Sequence, residues 1–306
     1  MINYVIWRIL QMIPILLGVT LIVFVLLRVS GDPVLLMLGE DAQPEQVEAL
    51  RIALGLNRPL YQQYLMYMAD LVTGDFGNSL RYNGQPALQV VLERLPATAS
   101  LAAMGLFFAI VISLPAGIIA ALNQNRLPDH VASSFSILGQ AMPNFWLGIM
   151  LILIFAVTLG WFPVSGSDKP LSVILPGLTL GSGLAAMLTR MLRSSLLEVM
   201  QQDYIRTARA KGLPQRTIIA RHALRNAALS YLTVIGLEAS ALMAGAVVTE
   251  QVFAWPGIGL LAIQAISSRD MAVVQTIVII SSIIVMSMNL LVDILYSVVD
   301  PRIQHG

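Results

Sequence analysis

The chain has 306 residues, 57% hydrophobic and 11% charged, with a net charge of +1 and a mean hydropathy of +0.78. A soluble domain carries about 25% charged residues, so this composition is that of an integral membrane protein. There are no cysteines, which excludes disulfides, thiolate catalysis, iron–sulfur clusters and cysteine-based zinc sites within the chain.

A helix needs about 20 apolar residues to cross a bilayer. The first such run, Ile9–Leu27, follows Arg8 as a secretory signal would. It is too long for one, lacks a clear small-residue cleavage site and precedes further apolar runs, so a retained helix is expected. A long polar segment follows. Within it "PEQVEALRIALGL" has a Pro44 start and a Gly55 stop, and predicts a short helix. "PLYQQYLMYMADLV" predicts a second, with apolar residues at Leu60, Tyr64, Tyr67 and Leu71; "GDFGNSL" reads as a turn.

Five more spans are expected: Thr98–Leu122, Ser133–Gly160, Leu171–Leu192, Ala227–Val252 and Met271–Val299. The fourth is diluted by Pro176, Gly177, Gly181 and Gly183. Gly177-x-x-x-Gly181 would let another helix approach closely, or is a chance spacing. Arg8, Arg126, Arg193 and the basic stretch Asp203–Ala227 fall on one side of these spans. The positive-inside rule makes that side, with both termini, cytoplasmic. Trp161 and Trp255 then fall at the outer interface. The expected fold is all-α: six transmembrane helices, a small helical extracytoplasmic loop and a basic cytoplasmic elbow. Its divisions are a first helix over 1–28, an outer loop over 29–96, a five-helix core over 97–299 containing the basic loop 193–226, and a cytoplasmic tail over 300–306.

Few polar groups interrupt the spans. Glu238 lies mid-span, where an ionised carboxylate costs about 2.5–3.5 kcal/mol on insertion scales. It either lines a path or hydrogen-bonds another helix. Asn144 follows Pro143 and either satisfies a backbone group that the proline frees or lines the path. Glu250 reads as interfacial, at the outer end of the fifth span, and is a third path candidate. The 15 methionines read as packing residues.

The chain has no G-x-x-x-x-G-K-[ST], no H-E-x-x-H and no G-x-S-x-G, and His130, His222 and His305 all fall in expected cytoplasmic segments. Transport or signalling remains. The basic stretch "DYIRTARAKGLPQRTIIARHALRNA" holds Arg206, Arg209, Lys211, Arg216, Arg221 and Arg225. Asp203 is expected as the N-cap of a two-turn helix Tyr204–Lys211, Gly212 as its C′ residue, and Pro214 in the first turn of a second helix reaching Asn226. The result is a helix–turn–helix elbow between two spans. It has too few residues for a third helix, so nucleic-acid binding is rejected in favour of docking a cytoplasmic partner.

"DYIRTARAKGL" with "HALRNA" resembles the EAA loop of permease subunits of bacterial ATP-binding-cassette importers. Arg206-Thr207-Ala208 stands where E-A-A would be, Gly212 takes the glycine place, and His222-Ala223-Leu224-Arg225 replaces I-x-L-P. Those departures resemble the dipeptide, oligopeptide and nickel permease branch. So do "GDP" at Gly31–Pro33, "LGLNRPLYQQY", "GDFGNSL", "RLPATASL", "MPNFWLG", "LGWFPVSG", "ILPGLTLG", "TEQVFAWPGIG" and "NLLVDILYSVVDPRI".

The resemblance implies a multi-pass permease in the bacterial inner membrane, in contact with lipid, that shares a translocation path with a second homologous permease. It also implies a periplasmic or lipid-anchored solute-binding protein and two ATPase subunits, which would hold the ATP and Mg; this chain itself would hold no cofactor or metal and catalyse nothing. The coupling loop would be Asp203, Tyr204, Arg206, Thr207, Ala208, Arg209, Ala210, Lys211, Gly212 and Leu213, with Thr207, Ala208 and Ala210 giving small residues where an ATPase seats. Short peptides are the expected cargo, and nickel or a metal–metallophore complex the alternative. A membrane sensor without transport, and a lone carrier using Glu238 as its proton site, are the readings from other classes.

Overall fold

A computed structural model describes residues 2–29, 34, 38, 43–53 and 55–299. The "GDP" motif and the expected tail 300–306 lie outside the described residues. The helices in chain order are α1 (Ile2–Val29), α2 (Pro44–Ala53), α3 (Leu60–Thr73), α4 (Ala87–Leu122), α5 (Leu127–Ala141), α6 (Asn144–Leu151), α7 (Ile174–Val199), α8 (Asp203–Ala210), α9 (Gln215–Thr217), α10 (Leu224–Val252), α11 (Ile258–Ser267) and α12 (Met271–Val299). A π-helical turn, Ile152–Thr158, extends α6, another, Ile218–Ala223, joins α9 to α10, and a 3-10 turn, Pro170–Val173, precedes α7. No strand occurs among the described residues; Asn78 and Pro86 make one isolated bridge.

Four helices are long and apolar enough to cross a bilayer unbroken, and the count reaches six if each of two bent pairs is taken as one span. The third expected span, Ser133–Gly160, is one of those pairs. It bends by 107° between α5 and the α6 segment. Pro143 sits at the break in an extended conformation (ψ 135°) and starts α6 instead of kinking a continuous helix.

The chain divides into two compact units, 1–96 with 260–287, and 97–259 with 288–306. In the first unit α1 exposes large apolar side chains along its length, as a lipid-facing helix does (Trp7, Ile13 and Ile22 among them). Its C-terminal part is tied to α3. The Arg28 guanidinium donates to Gln63 Oε1 at 2.7 Å and lies 3.4 Å over the Phe24 ring, and the Thr20 and Tyr64 hydroxyls pair at 3.0 Å. Both short helices expected between the first two apolar runs form, α2 ending before Gly55 (φ +65°) and α3 before Gly74 (φ +82°). The "GDFGNSL" turn is anchored by Asp270, whose carboxylate accepts from the Ser79 hydroxyl at 2.5 Å and from the Arg81 N–H at 3.2 Å. Asp270 itself is buried.

The core of the second unit is a stripe on α7: Leu180, Leu184, Leu188, Leu192 and Leu196, all buried, recur every four residues and form one ridge. Two glycines of α4 receive that ridge, Gly105 against Leu180 and Gly117 against Leu192. The Gly177-x-x-x-Gly181 spacing is a packing device. A Cβ on Gly177 would overlap Met104, and one on Gly181 would overlap the Gly105 carbonyl. The span that the sequence makes weakest is therefore the most enclosed of the four unbroken ones, with 61% of its apolar window buried. Arg193 grips Asp129 with two hydrogen bonds, one from Nη2 at 2.7 Å, and the Asn125 N–H adds a third at 2.8 Å.

Candidate functional site

The basic stretch folds as an elbow with two faces. α8 begins after Gln202, which takes the extended N-cap conformation (ψ 149°). Asp203 is thus the first helical residue and not the cap; its charge still favours the positive end of the helix dipole. The helix ends in a Schellman arrangement: Gly212 N–H donates to the Arg209 carbonyl at 2.9 Å and Leu213 N–H to the Ala208 carbonyl at 3.3 Å, with Gly212 at φ +72°. Pro214 then precedes α9 as its extended N-cap, one step before the position expected for it. The second helix of the elbow does not stop at Asn226. It continues through the π-helical turn into α10, so only α8 stands apart.

Ile205 and Ala208 are buried in the core cluster that includes the α7 ridge. Asp203, Tyr204, Arg206, Thr207, Arg209, Ala210, Lys211, Gly212 and Leu213 are exposed. This corrects the role of Ala208. Its small side chain admits α8 to the protein's own core and does not lie on the presented surface. Thr207 and Ala210 do lie on the exposed face. The Asn226 amide donates to the Tyr204 hydroxyl at 2.9 Å and ties α8 to the start of α10.

At the other end of α10, Glu250 is fully buried. The Thr98 hydroxyl donates to its Oε1 at 2.7 Å and accepts from the Ile258 N–H at 2.8 Å. Gly257 and Gly259 lie against the carboxylate so closely that a Cβ on Gly257 would overlap it. Trp255 is buried too, its indole N–H donating to the Ala97 carbonyl at 2.8 Å. Two expectations are therefore corrected. Glu250 is neither interfacial nor lining a path, because its oxygens are enclosed by backbone and a hydroxyl. Trp255 is a core residue, whereas Trp161 stays 61% exposed as an interfacial ring would.

Glu238 is partly exposed and has no hydrogen-bond partner among the described residues. Asn144 is exposed at the start of α6 and has none there either, so it does not repair the backbone break at Pro143. Sequence reasoning missed Asp129 as the partner of Arg193 and Thr98 as the partner of Glu250. Both pairs bridge segments far apart in the chain, and only "RLPATASL" and "TEQVFAWPGIG", noted separately, marked the second.

Residues 1–102 match the N-terminal family model of binding-protein-dependent transport system membrane components, and residues 113–305 match that of the binding-protein-dependent transport system inner membrane component. The chain belongs to this family. It is a multi-pass membrane permease subunit. The dipeptide transport system permease protein DppB of Alkalihalophilus pseudofirmus is 40% identical over 334 aligned residues, covering 100% of both chains. The oligopeptide transport system permease protein AppB of Bacillus subtilis is 40% identical over 313, covering 99% of each. A chain of the MetNI methionine ABC transporter, in an inward-facing conformation, shares the fold with a TM-score of 0.59 at 19% identity, covering 69% of this chain and 97% of that one.

Proposed function

We propose that the chain is one of two homologous permeases forming the path of an ATP-driven importer of short peptides. Its partners are that second permease, two ATPase subunits that carry the ATP and Mg, and a periplasmic or lipid-anchored solute-binding protein. Family membership and the peptide-transporting names of the full-length relatives support the reading. The observation that carries the coupling step is the division of α8 into a rooted face, Ile205 and Ala208, and an exposed one. A short helix fixed to the core by two residues transmits a push on its outer face to α7 and α10. Switching between two packings of these helices opens the path alternately to each side. Glu238, partly exposed, and Asn144, exposed, within the apolar helices, are the path-lining candidates.

The reading requires the elbow and both termini in the cytoplasm, and residues 43–96 outside. The absence of cysteine allows single thiols to be placed at will. A thiol at Asn78 is expected to react with an impermeant reagent applied to intact cells, and one at Gln215 only after the membrane is opened; the reverse pattern overturns the orientation and the docking with it. Reconstituted with its partners, the chain is expected to support ATP-dependent uptake of a labelled dipeptide. Uptake by the single chain without an ATPase, or uptake of nickel and no peptide, refutes the assignment.

A further inference from the structure

A cavity lies within residues 97–259, away from the elbow. Ser100, Ser167, Asp168, Lys169 and Trp255 are among the residues that line a pocket of about 420 Å³. That is within the size range of small-molecule sites, about 300–1,000 Å³. Its walls are held in place. Trp255 is fixed by its indole bond to the Ala97 carbonyl, one turn before Ser100. The loop bearing Asp168 and Lys169 is tied at both ends: the Gly166 N–H donates to the Phe253 carbonyl at 2.9 Å, and the Ser172 N–H to the Lys169 carbonyl at 2.9 Å. Gly166 takes φ +83°, a conformation that turns the chain there and that a side chain would disfavour.

The two charges are unspent. Neither Asp168 nor Lys169 makes an ion pair or a side-chain hydrogen bond among the described residues, although they are neighbours in the chain and opposite in sign. A pocket presenting one carboxylate and one ammonium beside the Ser167 hydroxyl, against a wall in which the Ser100 hydroxyl and the Trp255 indole N–H both donate to the Ala97 carbonyl, is complementary in charge to a small zwitterion. It matches neither a simple cation nor a simple anion, since each would meet a like charge.

We infer that this pocket is a binding site for the charged ends of a short peptide, Asp168 taking the amino terminus and Lys169 the carboxylate, on a face of the permease distinct from the elbow. The inference rests on the peptide-import reading for the identity of its ligand, but not for the charge pattern that defines it. Both residues are exposed loop positions, so substituting them leaves the fold intact.

The test uses the assembled transporter in lipid nanodiscs, without binding protein, and four probes: L-alanyl-L-alanine, its N-acetyl form, its C-terminal amide, and the form blocked at both ends. The wild-type complex is expected to prefer the unblocked dipeptide by about tenfold over either singly blocked form, the size of one charge-assisted hydrogen bond in a partly hydrated site. Asp168→Asn should abolish the discrimination against the N-acetyl form alone, and Lys169→Gln that against the amide alone. No binding, or binding equally strong for all four probes, overturns the site, as does an unchanged preference in both variants. Labelled dialanine uptake, with binding protein added, is measured on the same preparations. Charge-matched binding without any uptake removes the peptide-import reading and leaves the site standing. Uptake with binding indifferent to both variants removes the site alone.

Discussion

The two ends of α10 are built on opposite plans. Its Val252 end leads into a buried polar centre, where Thr98 bridges Glu250 and the Ile258 N–H and the backbones of Gly257 and Gly259 lie close against the carboxylate. Its Leu224 end leads back to α8, which touches the core through Ile205 and Ala208 and leaves its other residues exposed. Both ends carry charge, and both lie in stretches on which the sequence resembles one permease branch. Charge in an apolar chain thus has two uses: enclosed, it fixes the backbone that surrounds it; presented, it marks a surface meant for something else. Burial of the individual side chain decides between them.

The sharpest way to break this contrast is at the closed end. Glu250→Leu removes the acceptor of the Thr98 hydroxyl and leaves buried polar groups unsatisfied. It should cost about 3 kcal/mol, against about 1 kcal/mol for Glu250→Gln, which keeps an oxygen in the same place. Thermal unfolding of the detergent-solubilised chain reads the difference. Equal midpoints for the two variants would mean that the enclosed carboxylate does not hold the turn.

At the open end two adjacent substitutions separate rooting from presenting. Ala208→Trp forces an indole under α8 and should destabilise by about 1–3 kcal/mol through overpacking, losing transport as the helix is lifted from its seat. Thr207→Trp points away from that seat. It should leave the unfolding midpoint within about 0.5 kcal/mol of the original, since exposed substitutions seldom do more. Under the proposed docking it nevertheless lowers stimulation of the partner ATPase by at least about tenfold, the loss of one well-placed interface residue. If Thr207→Trp retains full coupling, the exposed face of α8 is not where force enters.

These pairs also show what a sequence discloses. Helix positions were legible because apolar runs, Pro44, Gly55 and Gly212 act locally, and α2, α3 and the turn at Gly212 form where those residues require. The elbow was legible for the same reason. The break at Pro143 was not, because a proline in an apolar run marks a kink and a full stop equally well. The inward face of Ala208 and the closure around Glu250 depend on residues roughly 10–150 positions away, and charge pattern alone carries no record of them. The diluted span α7 misled in the opposite direction: its glycines lower hydropathy because they permit contact with α4, so dilution reported enclosure.

The smallest effect is expected at Glu238, on the same helix as Glu250. The two share a residue type and an apolar helix, but Glu238 is partly exposed and has no side-chain hydrogen-bond partner among the described residues. Replacing it with Gln removes a charge without removing a bond, so the unfolding midpoint should stay within about 0.5 kcal/mol of wild type. A carboxylate left open within a span stands beside water or cargo, because lipid alone would disfavour it. Beside cargo, it attracts a passing cation across a hydrated gap, worth only about 0.5–1 kcal/mol. Glu238→Gln should therefore lower uptake of dilysine relative to dialanine by about threefold while uptake of dialanine itself changes little. If the ratio is unchanged and, in the assembled transporter, the midpoint falls as far as it does for Glu250→Gln, then Glu238 is a second enclosed carboxylate, covered there by the partner permease, and the contrast between the two ends of α10 does not extend to its middle.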